Sequence, residues 1–361
     1  MIPLIVDLEK EWRGGQNQAL LLLKGLYERG HAAELLTAHG SSLGHRAKKE
    51  GIYVHSVSRG RLRLAAAAKI RSVLADGRIE LVHVNEAHAL TAAWLALPKA
   101  GPPLVVSRRV GFPLKSGWLS QKRYRRADLI LANSEWVAEQ AAGSGAPREK
   151  IRVVYEGVEI PALPSEAARA AARKRFSLGG SEIVLGCVGA LETDKGHEWV
   201  IRALAELRKE FPNCKLLIAG EGEYRRELTA LARELGCKEQ VIFAGFVKDI
   251  AGVYEAIDVF VFPSLFEGLG TSLLSAMSYA VPSITFFGCA LGEIVENGVS
   301  GIQVEAKNSA AIADAAARIL RRPECASKLG QAGRARIEEK FSAERMVENT
   351  LAIYEELIGN A

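Results

Sequence analysis

Short apolar runs rich in β-branched residues alternate with helical segments along almost the whole chain. The strand-like runs of the first half lie at residues 2–6, 33–36, 53–57, 81–84, 104–106, 129–132 and 151–154, and its clearest helical patterns at 16–28 and 87–97. In the second half the strand-like runs lie at 183–188, 215–219, 241–243, 259–262 and 283–286, and the helical patterns at 199–210, 224–235, 250–256, 271–279 and 310–320. Strands that alternate with helices build parallel sheets covered by helices. The alternation therefore predicts an α/β fold.

One break in this pattern divides the chain. Residues 160–164 read Ile-Pro-Ala-Leu-Pro, and two prolines so close together exclude a helix interior and a central strand. The 361 residues also exceed what one hydrophobic core usually supports. We therefore predict two Rossmann-like, doubly wound domains at residues 1–163 and 164–341. A last helix, at 342–361, has one apolar stripe that could pack on either domain.

Composition excludes several classes of protein. No apolar run reaches the ~18 residues of a membrane span, and charged side chains from Asp7 to Arg13 interrupt the segment where a secretory signal would lie. We therefore expect a cytoplasmic protein. Scattered cysteines without a Cys-x-x-Cys pair indicate buried thiols rather than disulfides or a zinc site; they are Cys187, Cys214, Cys237, Cys289 and Cys325.

Positive charge is concentrated in the first half. Residues 1–160 carry 24 Lys and Arg against 15 Asp and Glu. Such clusters are either solvated surface or a face that attracts an anionic partner, such as a phosphate-rich acceptor or the inner face of a membrane. Nucleic acid is not expected, because no recognition-helix or aromatic RNA-binding pattern accompanies the charge. The clusters are Arg59, Arg61, Arg63, Lys69 and Arg71; Arg108 and Arg109; and Lys122, Arg123, Arg125 and Arg126.

Two strand-to-helix turns have residues suited to anions. Gly14 and Gly15 follow the first strand, and paired glycines let backbone N–H groups at a helix N-terminus approach a ligand closely. The signal is weak alone, and without a full Gly-x-Gly-x-x-Gly it does not favour a nicotinamide dehydrogenase. Lys195 lies in the turn 189–197, where its ammonium suits a phosphate as a point charge. The alternative for both turns is an ordinary surface turn.

A third turn, at residues 266–276, reads Phe-Glu-Gly-Leu-Gly-Thr-Ser-Leu-Leu-Ser-Ala. The backbone N–H groups of Thr271 and Ser272, where a helix begins, can hold a phosphate. A carboxylate beside a diphosphate would repel it, so Glu267 is expected to accept hydrogen bonds from sugar hydroxyls instead. The alternative is a capping or exposed glutamate.

The ordered set of motifs resembles the retaining glycosyltransferases of family 4. The resemblance rests on Gly14-Gly15-Gln16, on segments 188–191, 218–222, 243–247 and 258–264, on Lys195-Gly196 and on Glu267-Gly268-Leu269-Gly270. It implies the GT-B arrangement of two Rossmann-like domains facing a cleft, with the last helix crossing back to the first domain. It also implies transfer of a hexose from a nucleoside-diphosphate donor with retention of configuration and without a metal or other cofactor. The acceptor would bind the first domain and is often a membrane lipid or a lipopolysaccharide core.

The resemblance assigns roles to individual residues. Lys195 would neutralise the donor diphosphate and Glu267 would hold the hexose. Many relatives have a histidine near the reaction centre where this chain has Arg108 and Arg109, and Arg109 could instead grip an anionic acceptor or the departing phosphate. Acceptor binding would use Asn85, Glu86, His88, Arg108 and Arg109, although a strand-end cluster that caps the next helix is as good an account of Glu86 and His88. Donor binding would involve Gly14, Gly15, Gln16, Gly189, Ala190, Lys195, Glu221, Phe246, Val247, Glu267, Gly268, Leu269, Gly270, Thr271 and Ser275.

Two donor-site positions also depart from the family pattern. Ser275 lies where the family has a second carboxylate that holds the donor ribose, and Ala190 lies where it has an arginine that assists the lysine. A hydroxyl forms weaker bonds to a ribose than a carboxylate does. Two alternatives to a transferase therefore remain: a non-catalytic GT-B partner protein, and an enzyme resembling the nucleotide-sugar epimerases.

Overall fold

The computed structural model describes residues 1–58, 62–114 and 117–359. Arg59 and Arg61 of the basic cluster, and residues 360–361 of the predicted last helix, lie outside this part. The chain divides into two compact units, Met1–Gly157 with Ser342–Ala361, and Val158–Phe341. The division falls at Gly157, so the proline-marked segment 160–164 lies within the second unit. No described helix has the length and apolar content required to span a bilayer.

The first unit contains a parallel sheet in the order β3-β2-β1-β4-β5-β6-β7. Its strands are β1 (Pro3–Asp7), β2 (Glu34–Ala38), β3 (Tyr53–Val57), β4 (Leu81–Val84), β5 (Leu104–Arg108), β6 (Leu129–Ala132) and β7 (Ile151–Val153). Every residue of β1, β2, β4 and β6 is buried, because helices cover both faces of the sheet. The covering helices are α1 (Gly14–Glu28), α2 (Ser42–Lys49), α3 (Leu62–Leu74), α4 (Ala87–Ala96), α5 (Trp118–Arg126) and α6 (Glu135–Gly143).

The second unit repeats this architecture in the order β10-β9-β8-β11-β12-β13. Its strands are β8 (Ile183–Val188), β9 (Cys214–Ala219), β10 (Val241–Gly245), β11 (Val259–Phe262), β12 (Ser283–Phe286) and β13 (Ile302–Val304). Its helices are α7 (Glu166–Arg175), α8 (His197–Leu207), α9 (Arg225–Glu234), α10 (Ala251–Ala256), α11 (Thr271–Ser278), α12 (Leu291–Ile294), α13 (Ser309–Leu320) and α14 (Pro323–Lys340). All pairings are parallel, which confirms the predicted α/β class with two Rossmann-like domains.

The last helix, α15 (Ala343–Gly359), belongs to the first unit and packs against α1. Tyr354 is fully buried there, and a Cβ on Gly25 would lie 2.5 Å from a methyl group of Val347. The glycine thus permits the two helices to approach closely. The sequence allowed the last helix to pack on either domain, and the structure shows that α15 packs on the first unit.

Strand order fixes where a ligand site can form. In each sheet the order reverses between two neighbouring strands, β1 and β4 in the first unit and β8 and β11 in the second. Loops that leave the carboxyl ends of such strands diverge to opposite faces and open a crevice. These strand ends carry the side chains described below.

Several details differ from the sequence prediction. Helix α14 and strand β13 were not predicted, and α1 begins at Gly14, so the paired glycines form its first turn rather than preceding it. The cysteines are not uniformly buried, since Cys325 is exposed and Cys289 is half-buried.

Candidate active site

Lys195 and Glu267 form an ion pair in the second unit. Lys195 Nζ donates to Glu267 Oε2 at 3.0 Å, and each side chain is 22% exposed. The two residues follow neighbouring strands, β8 and β11. Burial alone would lower the pKa of the Lys195 ammonium, but the Glu267 carboxylate raises it above its usual value, so the cation is retained.

Backbone contacts between the two loops hold this pair in place. The N–H of Leu265 donates to the carbonyl of Asp194 at 2.8 Å. Gly196 has a φ of 68°, and a Cβ there would lie 2.2 Å from the Pro263 carbonyl oxygen. Only glycine therefore permits the lysine loop to approach the end of β11 so closely.

Helix α11 directs its N-terminus to the same strand end. It begins at Thr271, and its N-cap Gly270 has a φ of 106°. Gly270 provides no side-chain cap, so the N–H groups of Thr271 and Ser272, and the positive end of the helix dipole, are available to an anion, whereas the N–H of Leu273 donates to the Gly270 carbonyl. Gly268 and Leu269, the two residues between Glu267 and this cap, are buried. The oxygen that accepts from Lys195, Glu267 Oε2, also accepts from the Ser264 hydroxyl at 3.2 Å.

Small residues keep the ends of β8 and β9 close together. Gly220 has a φ of 149°, and a Cβ there would lie 1.8 Å from the Gly189 carbonyl oxygen. A Cβ on Gly222 would lie 2.3 Å from the Leu191 carbonyl oxygen. Any larger residue at Gly220 would separate these strand ends.

His197 supports the loop from beneath. It is buried, its Nε2 lies 3.0 Å from the carbonyl oxygen of Ala190, and its Nδ1 lies 3.0 Å from the Sγ of Cys187. Burial lowers the pKa of His197 to about 4. A neutral imidazole that donates from Nε2 and accepts at Nδ1 satisfies both contacts. Ala190 itself is exposed.

The remaining donor-site candidates of this unit lie at the end of β10 and on α11. The N–H of Phe246 donates to Glu221 Oε1 at 3.2 Å, while the Phe246 ring is 66% exposed and Val247 is half-buried. Ser275 is half-buried on α11, and its side chain hydrogen-bonds the hydroxyl of the buried Tyr254. The serine at this position is thus engaged with a neighbouring helix.

A polar network occupies the ends of β1 and β4 in the first unit. Asn85 Nδ2 donates to Asp7 Oδ2 at 2.5 Å and to the Gly15 carbonyl at 3.1 Å. Gln16 also donates to Asp7 Oδ2, at 2.9 Å. Burial raises the pKa of the Asp7 carboxyl, although the bonds from Asn85 and Gln16 lower it. The side chain of Gln16 is therefore committed to Asp7, whereas Gly14 is exposed and Gly15 half-buried at the start of α1.

Arg109 extends this network. Its Nη1 donates to the side-chain and main-chain oxygens of Asn85, and its Nε lies 2.9 Å from Oε1 of the buried Glu156. The arginine side chain is 19% exposed. A planar guanidinium held on two sides in this way offers its remaining donor face in a fixed orientation.

A buried histidine lies beneath Arg109. His83 Nδ1 contacts the Tyr354 hydroxyl and its Nε2 lies 2.7 Å from Ser107 Oγ. Burial and, to a lesser extent, the charge of Arg109 lower the pKa of His83 to about 3, so the ring is neutral. An adjoining cavity of about 30 Å³ has room for a water molecule, which would satisfy the unpaired Oδ1 of Asn133 in its lining.

Glu86 and His88 have structural partners. Glu86 caps α4 by accepting from the N–H groups of His88 and Ala89, and it also accepts from Leu8 N–H at 3.2 Å. Burial raises the pKa of Glu86 to about 7. Arg63 Nε donates to His88 Nδ1 at 3.0 Å.

Arg108 is engaged too, since its guanidinium donates to the Phe112 carbonyl and lies 3.5 Å from the Tyr124 hydroxyl. Among the described residues, Glu9, Glu86 and His88 bring potential metal-ligand atoms within 4.8 Å of one another.

Sequence reasoning missed Asp7, Glu156 and Ser264. Asp7 ends the buried strand β1, Ser264 follows the buried strand β11, and Glu156 follows the less buried edge strand β7. Their position is the signal that could have revealed them, because polar residues at the carboxyl ends of parallel strands face the ligand crevice.

Comparison with protein families matches both units. Residues 12–160 match the model "Glycosyltransferase Family 4", and residues 168–336 match "Glycosyl transferases group 1". Together the two matches extend over most of the chain.

The individual relatives described next share less than a third of their aligned residues with this chain. An uncharacterised glycosyltransferase of Methanocaldococcus jannaschii is 29% identical over 64% of this chain, and the aligned part spans 60% of that relative. The GDP-mannose-dependent alpha-(1-6)-phosphatidylinositol monomannoside mannosyltransferase of Mycolicibacterium smegmatis is 28% identical over 74% of each chain. Among solved structures, Anabaena HepE in complex with UDP and glucose superposes with a TM-score of 0.84 at 21% identity, over 97% of this chain and 98% of HepE. The structural likeness shows the fold.

Proposed function

The chain belongs to glycosyltransferase family 4, and from that premise we propose that it transfers a hexose from a nucleoside-diphosphate donor to a saccharide or lipid-linked acceptor, with retention of anomeric configuration. In this reaction the bond from the sugar C1 to a diphosphate oxygen is replaced by a bond from C1 to the oxygen of an acceptor hydroxyl, and the hydroxyl proton is released with the nucleoside diphosphate. Retention is proposed on the basis of family membership.

The observation that carries the proposal is the Lys195–Glu267 pair beside the N-terminus of α11. An ammonium and a helix N-terminus stabilise the charge that develops on a departing diphosphate, the electrostatic contribution that is usually the largest in such catalysis. Glu267 would accept hydrogen bonds from hexose hydroxyls. Because these groups offset the diphosphate charge, we propose that no metal or other cofactor is required.

The first unit is proposed to bind the acceptor through Arg109, which Asn85 and Glu156 hold in place because the Asn85 side chain is itself bonded to Asp7, Gly15 and Arg109. The guanidinium favours an anionic acceptor such as a phosphate-bearing saccharide.

Trp118 at the start of α5 is 72% exposed, with Lys122 Nζ 5.5 Å from its ring centroid. An exposed aromatic ring beside a cation suits the interface of an anionic membrane. We therefore propose a peripheral protein on the cytoplasmic face that acts in lipopolysaccharide or other surface-polysaccharide assembly. The acceptor of the mycobacterial relative, a phosphatidylinositol mannoside by its name, supports a lipid-linked acceptor.

The test combines nucleotide binding with turnover. A thermal-shift panel of UDP, GDP, ADP, CMP and dTDP with their sugars identifies the base, since a ligand at ~100 times its dissociation constant adds about 2.7 kcal/mol to the folded state. Sugar release from that donor is then measured with wild type, Lys195→Ala and Glu267→Gln. Donor-dependent release that both substitutions abolish supports the transferase; release that survives both substitutions contradicts the assigned site.

A second candidate is a non-catalytic GT-B partner protein, which Ser275 and Ala190 favour. The Ser275 side chain already hydrogen-bonds Tyr254, so its capacity to bind a ribose is reduced. Folded protein that neither binds nor hydrolyses any donor would favour this candidate. The epimerase-like alternative predicts a change of sugar configuration without an acceptor, which nuclear magnetic resonance of the product distinguishes.

A further inference from the structure

The second unit has a cavity lined by elements that carry none of the site residues above. Its volume is about 510 Å³, within the ~300–1,000 Å³ typical of small-molecule pockets. It is lined by the turn before β13, the C-terminal end of α13 and the first half of α14. Because β13 is the edge strand of its sheet, this cavity lies two strands away from β11.

The cavity has an apolar lining. Ile302 from β13, Ile319 from α13 and Leu329 from α14 contribute side chains to it, and Ile319 is buried whereas the other two are half-buried. Val299 adds a further apolar side chain that is 52% exposed. A ligand with hydrocarbon groups would cover this surface and remove it from water.

Cationic side chains belong to the same lining. Arg318, Arg322 and Lys328 are exposed, and their side chains have no hydrogen-bond or ion-pair partner within the described ranges. Arg321, by contrast, pairs with Glu210 at 2.7 Å. None of the described residues that line the cavity is acidic. Three cations that line one cavity, with no acidic side chain among its described lining residues, favour an anionic ligand there.

We propose that this cavity binds an anionic amphiphile, a molecule with a phosphate or carboxylate head and a hydrocarbon tail. The head is held by Arg318, Arg322 and Lys328, and the tail lies against Ile302, Leu329 and the neighbouring apolar side chains. The proposal does not depend on the proposed transferase activity, because no residue of the Lys195–Glu267 site takes part in it.

Cys325 supplies a direct readout. It lines the cavity and is exposed, whereas the other four cysteines, all in the described part of the chain, are buried or half-buried. A bound amphiphile should shield its thiol, so the rate of Cys325 modification by a thiol reagent reports occupancy. The probe is dodecyl phosphate, titrated below its critical micelle concentration into the full-length protein.

We expect saturable protection of Cys325 in the wild type. The variant Arg318→Ala/Arg322→Ala/Lys328→Ala should raise the half-saturating concentration on the order of tenfold or more, because it removes the charge-assisted contacts to the head. All three side chains are exposed, so the fold should be retained. The matched control, Lys174→Ala/Arg226→Ala/Lys238→Ala, removes the same net charge from exposed positions outside the lining and should bind as the wild type does.

Two comparison ligands separate head from tail. Inorganic phosphate lacks the tail and dodecyl maltoside lacks the charge, so each should protect Cys325 far less than dodecyl phosphate. Any one of four results would overturn the proposal: equal protection by either comparison ligand, unchanged protection in the triple variant, loss of protection in the matched control, or no saturable protection at all. Vesicles identify the source: phosphatidylglycerol vesicles that protect Cys325, with phosphatidylcholine vesicles as control, support a membrane lipid, and protection by dissolved amphiphile alone supports a free one.

Discussion

Removing the Lys195 ammonium should weaken diphosphate binding in a way that depends on Glu267. The two charges lie 3.0 Å apart and are each 22% exposed. At an effective dielectric of ~20, two unit charges 4 Å apart attract by about 4 kcal/mol, and desolvation offsets much of this. We therefore expect a net coupling of roughly 1–3 kcal/mol between the two side chains.

In the free protein Glu267 attracts the Lys195 ammonium. Without that ammonium, the same carboxylate repels a bound diphosphate. In Lys195→Ala, the Glu267 carboxylate loses its cation and repels an incoming diphosphate. Nucleotide affinity should fall roughly tenfold to a hundredfold, as loss of 1.4–2.8 kcal/mol implies. Adding Glu267→Gln to this variant removes the repelling charge, so part of the affinity should return although a second site residue has changed.

The assay is calorimetric titration of the nucleoside diphosphate identified by the thermal-shift panel into wild type, both single variants and the double variant. Urea unfolding of the same four proteins checks that stability changes do not account for the result. If the two substitutions add within about 0.5 kcal/mol in nucleotide affinity, the residues do not act as a pair and the reasoning is refuted.

Three further outcomes are expected. Gly220→Ala should lower the unfolding free energy by about 1–3 kcal/mol or more, because its Cβ would collide with the Gly189 carbonyl oxygen at a positive φ, whereas Gly180→Ala, which meets no atom within 4 Å, should be near neutral in the same urea titration. Unfolded His197 takes up a proton below pH ~6.5, while the folded, buried ring resists protonation until about pH 4, so the free energy of unfolding falls by up to about 1.4 kcal/mol per pH unit as pH drops through this window. His197→Gln can still donate to the Ala190 carbonyl and should give a shallower pH dependence of the urea midpoint. An unchanged slope would contradict this. Ser275→Glu should strengthen binding of the nucleoside diphosphate identified by the thermal-shift panel, relative to its 2′-deoxy form, by about tenfold through a charge-assisted contact with the ribose, a preference that calorimetry should not find in Ser275→Ala.

The sequence predicted strands better than it predicted one long helix. Strands buried on both faces must be continuously apolar, and this is visible without a structure. Helix α14 packs through glycine: a Cβ on Gly330 would lie 2.0 Å from the Ala280 carbonyl oxygen, and one on Gly333 would lie 2.9 Å from that of Ser300. Glycines lower helix propensity and provide no apolar stripe, so the features that allow this helix to pack also hid it from the sequence pattern.

The sequence predicted where along the chain the residues of the candidate site lie, but not which of them contact one another. Turns after parallel strands identify where Lys195 and Glu267 must lie, but only the structure shows that the bond from Leu265 to Asp194 brings their loops together. The sequence predicted that Gln16 contacts the ligand, but its side-chain amide donates to Asp7 instead. The burial of Asp7, which draws Gln16 to it, could not be recognised from one residue at the end of a strand.

The return of the chain to its first unit affects how the protein is made. A ribosome releases residues 1–157 long before α15, so the face of α1 that receives Val347, and the pocket that encloses Tyr354, stay uncovered while the whole second unit is synthesised. Domains usually fold in the order of their synthesis. Here the second unit, continuous in sequence, can be complete first, and the nascent first unit exposes apolar surface to chaperones and aggregation until the last seventeen-residue helix emerges.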